Sequence, residues 1–222
     1  MNSKIEGWLS IPKSLYVCLR LLPFRQAIKI PIRVRYNVKL LSLNGRVILP
    51  KHMQKFMVLI GFKNVNTHDV VYHRTMLSID GTIEFKGTAT IGSGAQIDVR
   101  SGAYMCVGDG MISSCSGHIV CEGNMHIGKG FLMGWDALLM DTDFHPIEDV
   151  IAHRRRDIQK DVYIGDNVWM ATRSVILKGS KIADGCVVGA NSVVAGVFNQ
   201  KNCIIAGNPA RIVRENQSWK LK

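Results

Sequence analysis

The run Asp141-Thr-Asp-Phe-His145-Pro146 gathers the side chains best suited to moving a proton in this 222-residue chain. In extended backbone, positions 141, 143 and 145 share a face, which lets two carboxylates approach one imidazole. A histidine side chain ordinarily titrates near working pH, and a carboxylate on one ring nitrogen fixes the tautomer in which the other accepts a proton. The pattern predicts a general base at His145, with Asp143 as its orienting partner. A lone histidine is more often structural, but this one precedes a proline and follows two same-face acids where an internal repeat breaks.

That repeat must position the run. From Ile164 the chain reads in sixes, with Ile164, Met170, Ile176, Ile182, Val188 and Val194 in one register and Gly or Ala after five of them. With 47% apolar residues, six such hits in one register arise by chance about once in a hundred. Neither a helix nor a plain strand has that period. A β-solenoid does: short strands meet at corners, three sixes make a coil, and coils stack about 4.8 Å apart. The apolar sixth residue points inward, and the small residue beside it lets the backbone bend and pack closely. Ile164 and Ile182 should then stand one above the other. The phrase aliphatic-small-x-Gly/Asn opens at Ile91, Val107, Ile127, Ile164 and Ile182, at spacings of 16, 20, 37 and 18. The 37 is one coil plus an excursion, so residues 145–161 form a loop thrown out of the coil, where function concentrates on a rigid scaffold.

Asp-Thr-Asp-Phe-His-Pro, the short loop, Ile164-Gly-Asp-Asn-Val-Trp169 and the ending Ala206-Gly-Asn-Pro-Ala-Arg211 together resemble the hexapeptide-repeat acyltransferases, in particular their sugar and polysaccharide O-acetyltransferase branch. The likeness covers about residues 77–214, and Leu22–Ile28 is similar, less specifically, to leader segments of cell-envelope polysaccharide acetyltransferases. The resemblance implies an all-β fold, a left-handed parallel β-helix, assembled as a homotrimer. It implies direct transfer from acetyl-CoA to a sugar, glycan or nucleotide-sugar acceptor, with His145 as general base, no covalent enzyme intermediate, no tightly bound cofactor and no metal. Asp141, Ser116 and Trp169 match positions on the acceptor side, although a tryptophan also caps a coil corner well. Ala171, Thr172 and Ala190 match small residues past which coenzyme A runs between two subunits, although corner geometry also accounts for the alanines. Arg211 and Arg214 match the basic groups that meet its phosphates. Two departures stand out. Ala195-Gly196 replaces a Thr-Lys pair, with Lys201 as a substitute charge, and Ser113-Ser-Cys-Ser116 replaces an Asn-containing acceptor motif.

Around this β-helix domain, residues 77–214, the chain divides into an extension, 1–76, and a tail, 215–222. Residues 4–22 place Ile5, Trp8, Leu9, Leu15, Leu19 and Leu22 loosely on one helical face, with Pro12 and Pro23 as limits. Such a helix either packs its stripe on the solenoid's end or brings residues 1–25 onto an anionic membrane. Ile28 to Leu40 alternates as one half-buried strand with a basic outer face, and Asn44-Gly45 signals a tight turn. The net charge of +11 draws anionic partners. No zinc-finger spacing or RNA-binding aromatic motif accompanies it, so nucleic acid is not expected. Arg154-Arg155-Arg156 and Lys160 either hold an acidic acceptor or are simply solvated. Six cysteines without a CxxC pair, Cys115 and Cys121 among them, read as buried hydrophobes in a reducing compartment. Charged residues interrupt any signal-like run, so the expected location is cytoplasmic, at most peripheral to the inner membrane face. Three competing readings remain: a nucleotide-sugar N-acetyltransferase, a γ-type carbonic anhydrase with zinc on His118, His126 and His145, and a non-catalytic trimeric scaffold. The second lacks that family's closely spaced histidine pair. The third leaves His145, Arg211 and the small-residue column without a purpose.

Overall fold

The computed structural model describes residues 3–63, 65–66, 68–69 and 72–221. Short strands recur on three faces of a prism. Face one carries Ile32–Val34, Val58–Lys63, Ala89–Gly92, Met111–Ser113, Leu132–Met133, Trp169–Met170, Val187–Val188 and Ile204–Gly207, stacked in parallel and closed by antiparallel Ala210–Arg214. Face two stacks Lys39–Leu43, Met76–Ile79, Gln96–Val99, His118–Cys121, Leu138–Met140, Val175–Ile176 and Val193–Val194. Face three stacks Arg46–Ile48, Thr82–Phe85, Tyr104–Val107, Asn124–Ile127, Val162–Ile164, Lys181–Ile182 and Val197–Phe198. Each coil crosses the faces in that order and lies on the coil before. This is a parallel β-helix.

Its interior is built from the sixth residues. Ile164 stands opposite Ile182, as expected, and Ile127 opposite Ile164. On face two, Ile97, Ile119, Leu139, Ile176 and Val194 form one buried column. Burying such a side chain contributes roughly 1.5–3 kcal/mol, so the columns rather than local propensity hold strands this short. The corners use two devices, not one. The small residue after the sixth permits close stacking: a Cβ on Gly128 would lie 2.4 Å from the backbone of Gly165. The bend falls two residues later, where Asn167, Arg173, Gly185 and Asn191 turn left-handed, a conformation that Gly and Asn tolerate best.

Three features differ from the sequence reading. Ile91 lies on face one, whereas Val107, Ile127, Ile164 and Ile182 form a face-three column, so the spacing of 16 crosses within a coil. Ile28–Leu40 is not one strand but parts of two, on different faces, because alternation continues unchanged around a corner. The parallel ladders also begin at Ile32, well before the sixes become legible, since irregular segments after Leu49 and before Met76 interrupt the count.

Helix α1 (Ser3–Leu21) and the short α2 (Phe24–Ala27) cover the open end of the first coil. α1 runs through Pro12, whose missing N–H leaves the carbonyl of exposed Trp8 without its intrahelical donor. The face turned inward is small and partly polar, with Gly7, Ser10, Ser14, Val17, Cys18 and Leu21 all buried. It completes hydrogen bonds that an edge strand leaves open. The N–H of Val34 donates to Ser14 Oγ (2.9 Å) and that of Tyr36 to Ser10 Oγ (3.1 Å). Lys13 Nζ donates to the carbonyls of Val38 (2.8 Å) and Tyr36, and Cys18 Sγ to that of Ile32 (3.4 Å). Buried Arg35 pairs with Glu6 at 2.8 Å. Most of the bulky stripe therefore faces outward, with Trp8 80% exposed and Ile5, Leu9 and Leu19 each about half exposed, whereas Leu15 is half-buried and Leu22 joins the core. The sequence left its direction open; the polar demands of the coil edge set it.

Candidate active site

The excursion leaves face two after Met140 and rejoins face three at Val162. Its neck is closed by a Thr142–Gln159 bridge, by the N–H of Asp143 on the Ile158 carbonyl (2.9 Å) and by the N–H of Lys160 on the Asp141 carbonyl (3.0 Å). Beyond the neck, Glu148–Asp149 pairs with Arg154–Arg155 as a small hairpin.

Three residues, Asp141, Asp143 and Phe144, pin the neck to different coils. Asp141 is fully buried, and its carboxylate accepts the N–H groups of Glu122 (2.8 Å) and Gly123 (2.9 Å). It was expected to face an acceptor; enclosed here, it anchors the loop to the preceding coil. Asp143 points the other way, its carboxylate 2.6 Å from Lys178 Nζ. That ammonium also donates to the carbonyls of Ile158 (3.2 Å) and Asp157. The expected pairing of Asp143 with the His145 ring is not made, because the chain turns off the coil at Asp141 and the same-face rule holds only for straight strands. Phe144 takes a left-handed φ of 60° and lies under the Arg100 guanidinium, 4.7 Å from ring centroid to charge. His145 follows directly, its N–H on the Asp143 carbonyl at 2.7 Å. Its side chain is exposed and the imidazole makes no hydrogen bond to any described residue. The result is a free imidazole on a fixed backbone. Lys178, Arg100 and Glu122 escape motif reading, although counting one coil, 18 residues, back from Asp141 and on from Lys160 reaches Gly123 and Lys178.

Burial pushes the Asp141 carboxyl above its ordinary value, and the two amides oppose that shift. A raised value means the folded state binds the proton more tightly, so this group's contribution declines as pH rises from the ordinary carboxylate range through the raised one. Asp141→Ala leaves two part-buried amides without their acceptor, at up to about 1–3 kcal/mol each. The unfolding midpoint should drop by more than about 5 °C, and that part of the pH dependence should vanish. A midpoint within about a degree of wild type would show the anchor to be dispensable.

The other expected site residues divide between two further corners. Ala171, Thr172 and Ala190 lie on the corner between faces one and two, where Thr172 Oγ1 donates to the carbonyl of Trp135 (2.9 Å). Trp135 is 48% exposed there, an aromatic that the motifs passed over. Ser116 lies on the same edge with a left-handed backbone. Arg211 ends there as well: it pairs with Ala206 in the closing strands, and the N–H of Gly207 donates to Ser192 Oγ at 3.0 Å. Arg214, opposite Ile204, sits at the far end of that strand. Lys201 pairs with Asp184 at 2.7 Å on the corner between faces three and one, so it does not supply the charge expected on the small-residue edge. Trp169 is near that corner too and packs on Trp219 at 5.9 Å, whose indole N–H donates to the Asn167 carbonyl (2.7 Å). His118 and His126 stand on faces two and three, His126 stacked on Tyr163 at 4.9 Å. With His145 in the loop, the three do not converge, and no group of three metal-ligating side chains forms among the described residues. Cys115 and Cys121 are buried, and burial pushes the Cys121 thiol up. Within one chain, His145 and the small-residue edge therefore occupy different corners of the prism.

The family model described as "Bacterial transferase hexapeptide (six repeats)" matches residues 161–196. The chain is 30% identical over 204 residues to the "Uncharacterized 24.8 kDa protein in cps region" of Klebsiella pneumoniae, across 92% of this chain and 88% of that one. It is 30% identical over 151 residues to the putative lipopolysaccharide biosynthesis O-acetyl transferase WbbJ of Escherichia coli K12, across 64% of this chain and 76% of the relative. The crystal structure of the polySia-specific acetyltransferase NeuO shares the fold with a TM-score of 0.65 at 22% identity, over 86% of this chain and 82% of that one. That fold is the left-handed parallel β-helix. The chain belongs to the hexapeptide-repeat acyltransferases, on their sugar and polysaccharide O-acetyltransferase branch.

Proposed function

We propose that this protein transfers an acetyl group from acetyl-CoA to a sugar hydroxyl of a cell-envelope polysaccharide or its precursor, at sites shared between the subunits of a homotrimer. The observation that carries this is His145, whose imidazole has no hydrogen-bond partner among the described residues and stands on a neck held by Asp141, Lys178 and Arg100. A base so placed removes the hydroxyl proton as that oxygen attacks the thioester carbonyl. The tetrahedral intermediate then collapses, the carbon–sulfur bond breaks, and the coenzyme A thiolate takes the proton from the imidazolium. Asp143 acts by fixing the neck through Lys178, and so positions the base without touching its ring.

The donor fits the small-residue edge. Ala171, Thr172 and Ala190 leave room for backbone approach, and Arg211, exposed at the end of that edge, has guanidinium donors beyond the one on the Ala210 carbonyl (2.8 Å). The separation of base and donor edge on different corners supports a site completed by a second copy. The hairpin tip supports that reading, because Val150 and Ile151 are 79% and 89% exposed and need cover. Arg211→Ala should raise the acetyl-CoA KM about tenfold with kcat little changed, as expected for a binding contact. An unchanged KM in the folded variant would send the phosphates elsewhere.

The test is thiol release from acetyl-CoA across a panel of envelope glycans, simple sugars and nucleotide-sugars. Turnover stimulated by hydroxyl acceptors is expected. Turnover confined to amino nucleotide-sugars would make this an N-acetyltransferase, and no acceptor-dependent release would overturn the reading.

A further inference from the structure

We propose that the outward face of α1 and α2 docks the protein on the surface of an anionic lipid bilayer. The inference is independent of the donor and acceptor assignments. It begins with the inverted helix. α1 gives its small and polar residues, with Val17 and Leu21, to the coil edge, so its other bulky apolar side chains are left over from that packing. Trp8, Leu9, Tyr16 and Leu19 on α1, Phe24 on α2 (70% exposed) and Ile28 just after it leave a run of large apolar groups facing water. Aromatic side chains on such a face suit the boundary between headgroups and acyl chains, where one part of the ring is dry and another wet. No helix among the described residues is long and apolar enough to cross a membrane.

Charge identifies the partner. Residues 1–68 hold 12 Lys and Arg against a single acid, Glu6, while the rest of the chain balances 16 against 16. The whole net charge of +11 thus belongs to the helical end and the first coils. Glu6 is engaged with Arg35, and exposed Arg25 and Lys29 pair with no acid among the described residues, while exposed Arg20 reaches the Leu43 carbonyl and Asn44 Oδ1 (3.4 Å each) at the border of the run. An apolar face bordered by cations meets both demands on an anionic bilayer: rings enter the interface and ammonium and guanidinium groups meet lipid phosphates. Two copies of the same face would repel one another, which argues against a self-contact.

The experiment is co-sedimentation of the full chain with vesicles of phosphatidylcholine, alone or mixed with phosphatidylglycerol. Binding to the mixed vesicles should exceed binding to the neutral ones by at least about tenfold and should weaken with salt. The double variant Trp8→Asp/Phe24→Asp should lose about tenfold or more, and so should Arg25→Glu/Lys29→Glu. Both should keep the wild-type circular dichroism, unfolding midpoint and thiol-release rate with a soluble acceptor. Equal binding to both vesicle types, or undiminished binding by the Trp8→Asp/Phe24→Asp variant, would overturn the proposal. So would a vesicle-free self-association that this variant abolishes, which would make the face a contact between copies.

Discussion

Replacing His145 by alanine is expected to lower kcat by about 10²–10⁴-fold, the usual contribution of a general base. Acetyl-CoA binding and folding should survive. The imidazole is exposed and makes no hydrogen bond to any described residue, so its loss opens no cavity and strands no partner. The neck that carries it is held by its neighbours, Asp141 in the preceding coil and Asp143 on Lys178. Asp143→Asn should cost less, about tenfold, because it loosens the base without removing it, and Lys178→Met should reproduce the effect from the opposite partner. Steady-state kinetics on folded His145→Ala and His118→Ala proteins decide the matter. A His145→Ala enzyme that keeps most of its rate while His118→Ala is the inactive variant removes His145 from the mechanism.

Two inactive variants should restore each other. His145→Ala lacks the base, and Ala190→Trp fills the donor edge at an exposed corner without disturbing the core. If each site combines the loop of one chain with the small-residue edge of another, random mixed trimers contain about one intact interface in four. Co-expression with two tags should then recover roughly a quarter of wild-type activity, more than about twentyfold above either parent. The mass by light scattering should be three times the 24.7 kDa of one chain. A mixture no more active than its parents, or an active monomer, would place the whole site within one chain.

How much of this was legible depended on whether a residue answers to the repeat or to a neighbouring coil. The inward column from Ile164 to Val194 could be read because every member meets the same environment, so period and chemistry coincide. The excursion was readable for the converse reason, as the point where the column stops. The partners of Asp141 and Asp143 were not, because spacing two residues apart describes a straight strand and this chain turns between them. The column of donor-edge residues was found as types, but its separation from His145 needed the three-faced path. Lys201 was placed by its charge, whereas its nearest acid, Asp184 one coil away, fixes it on another corner. For α1, periodicity gave a face without a direction. The serines that chose the direction, Ser10 and Ser14, read as ordinary helix residues until the open N–H groups of Val34 and Tyr36 are set beside them.

The side chains with which α1 meets Val34 and Tyr36 also bear on polymerisation. A periodic stack has no intrinsic length: any bare end is a template on which the next chain can add, and addition regenerates the same end. Here one terminus is occupied by the serine, lysine and cysteine side chains of α1, and the other by the antiparallel strand Ala210–Arg214, which cannot continue a parallel ladder. On face one these two unlike terminators oppose end-to-end addition of a further chain. Deleting residues 1–27 would leave the interior columns intact yet turn the first coil into a growing tip, and the expected product is end-to-end filaments rather than an unfolded chain.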